Sequence, residues 1–237
     1  SETRNIIPLW ANKGASLTGT HLGFYFHEVY DDFNIASDSL KEKEIDIPYL
    51  DLKFTIKKTQ SGKKYVIKPI DHSYHEIQLK NSSSGTQNAI PITLIAEHFS
   101  KNFSFENAFN RSVIQYLSDA DRLTDFRPVK NLSDIQKKLF IHIEEPELSL
   151  YPDAQCELIA DLIEKCFISN QNEIALFFST HSPYIINYLN LLLKANDRGQ
   201  LVNGAKIQYE NLAVYQVEDG KVVDLMMKNQ RLVNTNI

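Results

Sequence analysis

The stretch KLFIHIEEPELSLYP, which runs from Lys138 to Pro152, decides the fold of this chain. Its first half, 139–143, is a short and almost unbroken apolar run, the pattern of a strand buried on both faces of a parallel sheet. The run ends in two adjacent carboxylates, Glu144 and Glu145, and ligands of open α/β sheets lie beyond the carboxyl ends of the strands. Neighbouring strand residues point to opposite sides, so one acid can face a metal ion while the other faces a water molecule.

Pro146 follows the two acids directly. A residue before proline is restricted towards extended backbone, so we expect an extended Glu145 whose carboxylate has little freedom to swing. A buried strand that simply ends in solvated acids would give the same pattern, and taken alone this stretch leaves both interpretations open.

A second buried-strand run, 174–178, lies downstream and ends in the segment STHSP, Ser179 to Pro183. Ser182 and Pro183 predict the N-cap and the first residue of a helix that continues through YIINYLNLLL. His181 therefore lies on a strand-to-helix turn, and we expect it at the same edge of the sheet as Glu145. An isolated histidine in such a turn is more simply a loop residue without a function.

Upstream, residues 81–87 read NSSSGTQ and precede an apolar helix that we expect to begin near Asn88, with Pro91 in or close to its first turn. Small hydroxyl residues and a glycine before a helix N-terminus make an anion site from backbone N–H groups and the helix dipole. A flexible serine-rich turn is the alternative for this segment taken alone.

Together, and in this order, the three motifs resemble the ATPase domain of ABC-type ATPases. The resemblance is strongest to the branch that includes OLD-type and RecF/SMC-like proteins and many stand-alone bacterial AAA-labelled ATPases. In that branch a signature segment of the type SSGxQ is followed by hhhhDEPExxLHP and then by STHSP. The matching residues here are 83–87, 141–152 and 179–183, and the resemblance covers about residues 45 to 190.

The resemblance implies ATP and Mg²⁺ as cofactors, and a homodimer in which two copies bind ATP between them. Glu144 would hold Mg²⁺, Glu145 would orient and deprotonate the attacking water, and His181 would contact the γ-phosphate. The signature segment would bind nucleotide, with Ser84 and Gly85 reaching the opposite subunit; its matching residues are Ser83, Ser84, Gly85 and Gln87. The implied function is ATP binding and hydrolysis that drives or gates a partner effector, in a setting such as DNA repair or phage defence.

Two departures from the family pattern bear on activity. Glu144 stands where the family has aspartate, and no G-x-x-x-x-G-K-[ST] motif is present, since Gly62-Lys63 and Gly220-Lys221 lack the leading glycine and the trailing Ser or Thr. We expect that these 237 residues are the C-terminal portion of a longer ATPase. The alternative is a degenerate ATPase domain that acts as a non-catalytic scaffold or regulator.

Composition places further bounds on the partners and the compartment. The hydrophobic fraction of 43% supports a substantial core, and the formal net charge of -5 argues against broad nonspecific nucleic-acid binding by this portion. Cys156 and Cys166 fall on one predicted helix and are interpreted as buried thiols of a reducing cytoplasm. With no signal peptide and no membrane-spanning apolar run, we expect a cytoplasmic protein with no membrane partner. Any nuclease or other effector is expected to be a separate chain.

The whole chain predicts an α/β fold of the P-loop NTPase, ABC-ATPase-like kind, with a mostly parallel sheet and flanking helices. An antiparallel β-hairpin insertion is expected at 50–68, and a C-terminal β-hairpin around the turn Glu218-Asp219-Gly220. We divide the chain into residues 1–80, the partial N-terminal and hairpin region of the ATPase head, and residues 81–237, its C-terminal lobe with the three motifs. Residues 229–237 are expected to form a tail.

Overall fold

The structure is a computed structural model that describes residues 24–40, 44–60, 62–71, 75–119, 122–129 and 137–236. Residues 1–23, part of the expected N-terminal region, lie outside the described residues. Helices and strands both recur along the described part of the chain, which confirms a mixed α/β protein.

The α-helices are α1 (Phe24–Ser39), α2 (Ser84–Glu97), α3 (Phe105–Asp119), α4 (Pro152–Ile163) and α5 (Pro183–Asp197). The strands are β1 (Ile45–Ile47), β2 (Leu52–Thr59), β3 (Gly62–Pro69), β4 (Ile77–Gln78), β5 (Lys138–Glu144), β6 (Glu173–Ser179), β7 (Tyr215–Glu218), β8 (Lys221–Asp224), β9 (Met226–Met227) and β10 (Leu232–Val233). Single π-helical turns follow α2 and α4, at His98–Asn102 and Glu164–Ile168. Short 3₁₀ turns lie at Pro48–Leu50, Leu79–Asn81, Leu123–Asp125 and Tyr209–Asn211.

The first four strands, β1 to β4, form an antiparallel sheet in chain order. Its centre is the hairpin of β2 and β3, in which Phe54 pairs with Ile67 and Ile56 pairs with Tyr65. All four side chains are buried because the period of two places them on one face of the sheet. The predicted antiparallel hairpin is therefore present.

The strands β5 and β6, which carry two of the three motifs, pair in parallel. Ile143 lies opposite Phe178, and Glu144 lies opposite Ser179. Helix α4 connects the two strands, in keeping with the long crossover that a parallel connection requires. Within the described residues this is the one parallel pairing, so the expected mostly parallel sheet is not seen there; the larger sheet is antiparallel.

One face of the β5–β6 pair is open, so the expectation of a strand buried on both faces was wrong for the described residues. Ile143 faces the core and is 9% exposed, whereas Phe140 and Phe177, on the opposite face, are 60% and 49% exposed. Their rings stack with centroids 6.1 Å apart. An apolar run indicates that both faces of a strand are apolar. It does not show whether another layer of the protein packs against each face.

A continuous cluster of buried apolar side chains joins the β1–β4 sheet to the β5–β6 pair through α2, α4 and α5. It includes Phe54 from β2, Ile90 from α2, Ile143 from β5, Leu158 from α4 and Ile185 from α5. The apolar face of α4 therefore packs into the core. This packing fixes the carboxyl ends of β5 and β6 relative to the N-terminus of α2.

The C-terminal region contains the predicted hairpin, β7 and β8, in which Asp219 and Gly220 at the turn have φ angles of 48° and 73°. Positive φ at both central residues is what an Asp-Gly hairpin turn requires. The expected tail after residue 228 was wrong, because β10 pairs with β9 and Val233 is only 1% exposed. Val233 belongs to a small cluster with Leu193 of α5, a contact between distant parts of the chain that the terminal sequence does not reveal.

The two cysteines differ in their surroundings. Cys156 in α4 is half-buried, whereas Cys166 is buried in the π-helical turn that follows this helix. Across the described ranges, no helix combines the length and the apolar character that crossing a lipid bilayer demands.

Candidate functional site

Glu144 and Glu145 lie where β5 ends. Glu144 is the last residue of the strand and is exposed, on the same face of the pair as Ser179. The Glu145 N–H donates to the Ser179 carbonyl over 2.9 Å, so the bonding between the two segments continues one residue beyond β5. Both acids are therefore held at the carboxyl edge of the parallel pair.

Glu145 has a left-handed backbone instead of the expected extended one, with a φ of 46°. For an L-residue this conformation costs roughly 1–2 kcal/mol. The Leu148 N–H donates to the Glu145 carbonyl over 3.1 Å, which closes a tight turn on the other side of the residue. The expectation was wrong because these hydrogen bonds outweigh the local preference of a residue before proline. Strained residues of this kind concentrate at functional sites.

His181 lies in the turn between β6 and α5, with its Nε2 atom 3.7 Å from Glu145 Oε1. The His181 side chain is 89% exposed and that of Glu145 is 29% exposed. The helix begins as predicted: Ser182 is the N-cap, its hydroxyl accepts the Ile185 N–H over 3.4 Å, and Pro183 is the first helical residue. The paired strand ends thus bring an imidazole and a carboxylate together at the surface.

Glu147 joins the segments that follow the two strands, and sequence reasoning gave it no role. Its Oε1 atom accepts the Thr180 hydroxyl over 2.7 Å and the His181 N–H over 2.8 Å. A second link runs between the same segments, because the Ser182 hydroxyl donates to Gln155 Oε1 over 2.6 Å. The available signal was a third acid in the run EEPE, but a carboxylate that accepts from a distant turn cannot be recognised from spacing.

The predicted signature segment forms the first turn of α2. The helix begins at Ser84 and not near Asn88, so Pro91 lies inside it. Ser83 is the N-cap, and its hydroxyl accepts the Thr86 N–H over 3.3 Å. The expected start was wrong because the burial of most of α2 outweighs the roughly 3 kcal/mol that an internal proline costs.

The residues predicted to bind nucleotide in this segment differ in accessibility. Ser83 and Ser84 are exposed, whereas Gly85 is buried. The Gln87 side chain donates to the Lys80 carbonyl over 3.2 Å and to the Ser82 carbonyl over 2.8 Å. Gln87 therefore stabilises the start of its own helix, and Ser84 presents its side chain to solvent.

Gly85 touches the loop that follows Glu145. A Cβ atom at Gly85 would lie 2.3 Å from the Ser149 carbonyl oxygen, much closer than any real contact of this kind. Ser149 itself has a φ of 61°. Glycine permits this approach because it has no Cβ. The start of α2 and the loop behind Glu145 are thus packed against each other within one chain.

The donor atoms at the strand ends suit a metal ion that arrives together with phosphate. In the ranges that the structure describes, no group of three or more His, Cys, Asp or Glu side chains could hold a metal ion by itself. Mg²⁺ in phosphate-transferring sites is usually bound by one or two carboxylates together with phosphate oxygens and water. The exposed carboxylate of Glu144 fits that donor set.

Comparison with known proteins identifies the family. No curated protein sequence matches the chain. The model of a family described as the AAA ATPase domain matches residues 15–186, a range that contains the start of α2, the strands β5 and β6, and His181. The match spans more than half of the sequence and includes each part of the site described above. The chain belongs to the AAA ATPase domain family.

Proposed function

We propose that this chain is part of an ABC-type ATPase head, of the OLD-type and RecF/SMC-like branch, that binds ATP between two copies and hydrolyses it to drive or gate a partner effector. The observation that carries the proposal is the placement of Glu145 and His181 at neighbouring strand ends, 3.7 Å apart. Membership of the AAA ATPase domain family supports nucleotide binding and hydrolysis as the class of activity.

In this proposal Glu145 is the general base. Phosphoryl transfer to water depends mainly on positioning and on stabilisation of charge. The Glu145 carboxylate would orient the attacking water and take its proton, a role worth roughly 10²–10⁴ in rate. The hydrogen bond from Glu145 N–H to Ser179 holds this residue against the end of β6. His181, exposed beside it, would contact the terminal phosphate.

Magnesium, when bound, would neutralise negative charge on the phosphate oxygens. Glu144 would hold the ion through a coordinated water, since Mg²⁺ keeps much of its hydration shell. Glu144 lies on the same face of the strand pair as Ser179, whose exposed side chain adds a second oxygen at that edge.

Ser84 is the residue proposed to reach the nucleotide bound by the second copy. It is exposed at the first turn of α2, where backbone N–H groups and the helix dipole favour an anion. Gly85, packed against Ser149, would set the position of this turn relative to Glu145 of its own chain. ATP would then hold two copies together, and hydrolysis would release them.

The second candidate function is that of a degenerate ATPase domain that serves a partner effector as a scaffold. The absence of a G-x-x-x-x-G-K-[ST] motif from the sequence favours it. The left-handed backbone of Glu145 favours hydrolysis, because a scaffold gains nothing from holding an acid in a conformation that costs free energy.

The test is Glu145→Gln in the full-length protein. Glutamine keeps the size of the side chain but cannot act as the base, so we expect ATP hydrolysis, measured by phosphate release, to fall by roughly 10²–10⁴. ATP binding should persist, and the ATP-bound dimer should accumulate in size-exclusion chromatography. Glu218→Gln, on the exposed β7–β8 hairpin, is the control and should change none of these. Loss of ATP binding in E145Q, or an unchanged rate of hydrolysis, would refute the assignment.

A further inference from the structure

We propose that Glu147 is the positioning residue of this site, and that its carboxylate holds the turn after β6 so that His181 stays against Glu145. The effect on hydrolysis rests on the function proposed above. The positioning itself is a property of the folded chain and can be tested without ATP.

Glu147 accepts one hydrogen bond from a side chain of this turn and one from its backbone. One carboxylate oxygen, Oε1, accepts both the Thr180 hydroxyl, over 2.7 Å, and the His181 N–H, over 2.8 Å. Thr180 Oγ1 in turn accepts the Ser182 N–H over 3.0 Å. Three consecutive residues of the turn are therefore connected, directly or through Thr180, to a single oxygen atom.

The position of His181 follows from these bonds. Its side chain is 89% exposed, so packing does little to fix it. Its backbone N–H is bonded to Glu147, and its ring nitrogen Nε2 lies 3.7 Å from Glu145 Oε1. Since Glu145 and Glu147 are two residues apart on the same tight turn, one loop sets both ends of the contact between the acid and the imidazole.

Glu147 holds the turn through the position of its Oε1 atom more than through the charge of its carboxylate. Glu147 Oε2 is buried and has no hydrogen-bond partner among the described residues, so the second oxygen of the carboxylate contributes no hydrogen bond to the link. A neutral side chain that places an oxygen at the position of Oε1 should therefore hold the turn. A carboxylate one methylene shorter should not, because it would draw back from both donors.

Two variants of the same residue separate these effects. Glu147→Gln keeps the reach and removes the charge, whereas Glu147→Asp keeps the charge and removes the reach. The readout is hydrogen exchange of the His181 backbone amide, followed by NMR. Loss of a hydrogen bond to a carboxylate should accelerate this exchange on the order of tenfold or more in E147D, whereas E147Q keeps a neutral hydrogen bond and should accelerate it by about fivefold or less.

The matched control is Glu157→Asp, the same shortening at a half-buried glutamate of α4, which makes no hydrogen bond to the 179–183 turn among the described residues. It should leave the exchange of the His181 amide unchanged. In full-length protein that hydrolyses ATP, E147D should lower kcat with the KM for ATP unchanged, and E147Q should retain kcat. A general loss of structure would not give this split between two variants of one residue.

The outcomes separate this proposal from the proposed function. Parental exchange of the His181 amide in E147D, or equal acceleration in E147D and E147Q, overturns the positioning role. If the expected exchange pattern is found but the full-length protein does not hydrolyse ATP, the positioning role is supported and the proposed function is refuted. The expected exchange pattern with unchanged kcat in E147D overturns the link between Glu147 and hydrolysis.

Discussion

Replacement of Gly85 by alanine should force the start of α2 and the loop behind Glu145 apart. The new Cβ would lie 2.3 Å from the Ser149 carbonyl oxygen, and real Cβ atoms essentially never come closer than 3.0 Å, so the two segments would have to separate by about 0.7 Å. The nearest atom belongs to backbone, which cannot rotate away as the end of a side chain could. Overpacking of this kind costs about 1–3 kcal/mol. Alanine gains about 1 kcal/mol over glycine within a helix, so we expect the free energy of unfolding to fall by up to about 2 kcal/mol.

Urea denaturation followed by circular dichroism measures this change in the free energy of unfolding. Ser84→Ala is the matched control, since it alters the neighbouring exposed residue of the same helical turn and should stay within about 0.5 kcal/mol of the parent. Because the displaced loop carries Glu145, the amide NMR signals of residues 145 and 147–150 should move in G85A and not in S84A. Parental stability in G85A, with those signals unmoved, would show that the two segments do not approach each other as described.

Two further predictions concern pH and thiol chemistry. Burial, and then the Arg111 cation, lowers the pKa of His98, so the unfolded chain takes up a proton first as the pH falls below about 6.5. The contribution of neutral His98 to the free energy of unfolding should therefore be fully present above that pH and decrease below it. When urea midpoints at pH 7.5 and 5.5 are compared, the decrease should be smaller in His98→Gln than in the parent; equal decreases would contradict the assignment. Burial raises the pKa of the Cys166 thiol to about 12, and burial together with Asp153 and Glu157 raises that of Cys156. A colourless disulfide reagent that releases a coloured thiolate should thus modify Cys156 slowly in the folded protein and Cys166 only after unfolding; rapid reaction of two thiols in the folded state would contradict the burial.

Several elements of the fold could be predicted from the sequence because their signals are local. The alternation around Phe54 and Ile56 defines the faces of β2, and Asp219-Gly220 supplies the positive φ angles of the C-terminal hairpin turn. The start of α5 follows from Ser182 and Pro183, whose side chains act on backbone atoms within one turn. In each case the residues that fix the structure are neighbours along the chain.

Other features were misjudged because local preferences competed with contacts from elsewhere in the chain. Pro91 suggested a helix start near its own position, but the Ser83 cap and the burial of α2 place the start earlier. Pro146 suggested an extended Glu145, but hydrogen bonds to Ser179 and from Leu148 hold a left-handed turn. A local backbone preference amounts to a few kcal/mol, and hydrogen bonds or burial supplied by the rest of the fold can outweigh it.

The sequence by itself determined that two apolar strands are followed by side chains that can bind metal or transfer protons. Glu144 and Glu145 lie at the end of the first strand, and His181 follows the second. Only the tertiary structure decided that Glu145 and His181 lie 3.7 Å apart, that Glu147 bonds the turn carrying the histidine, and that Gly85 lies against the same loop. The reason is that strand and helix signals act over a few residues, whereas these contacts join segments that meet only after β5 and β6 have paired and α2 has packed against them.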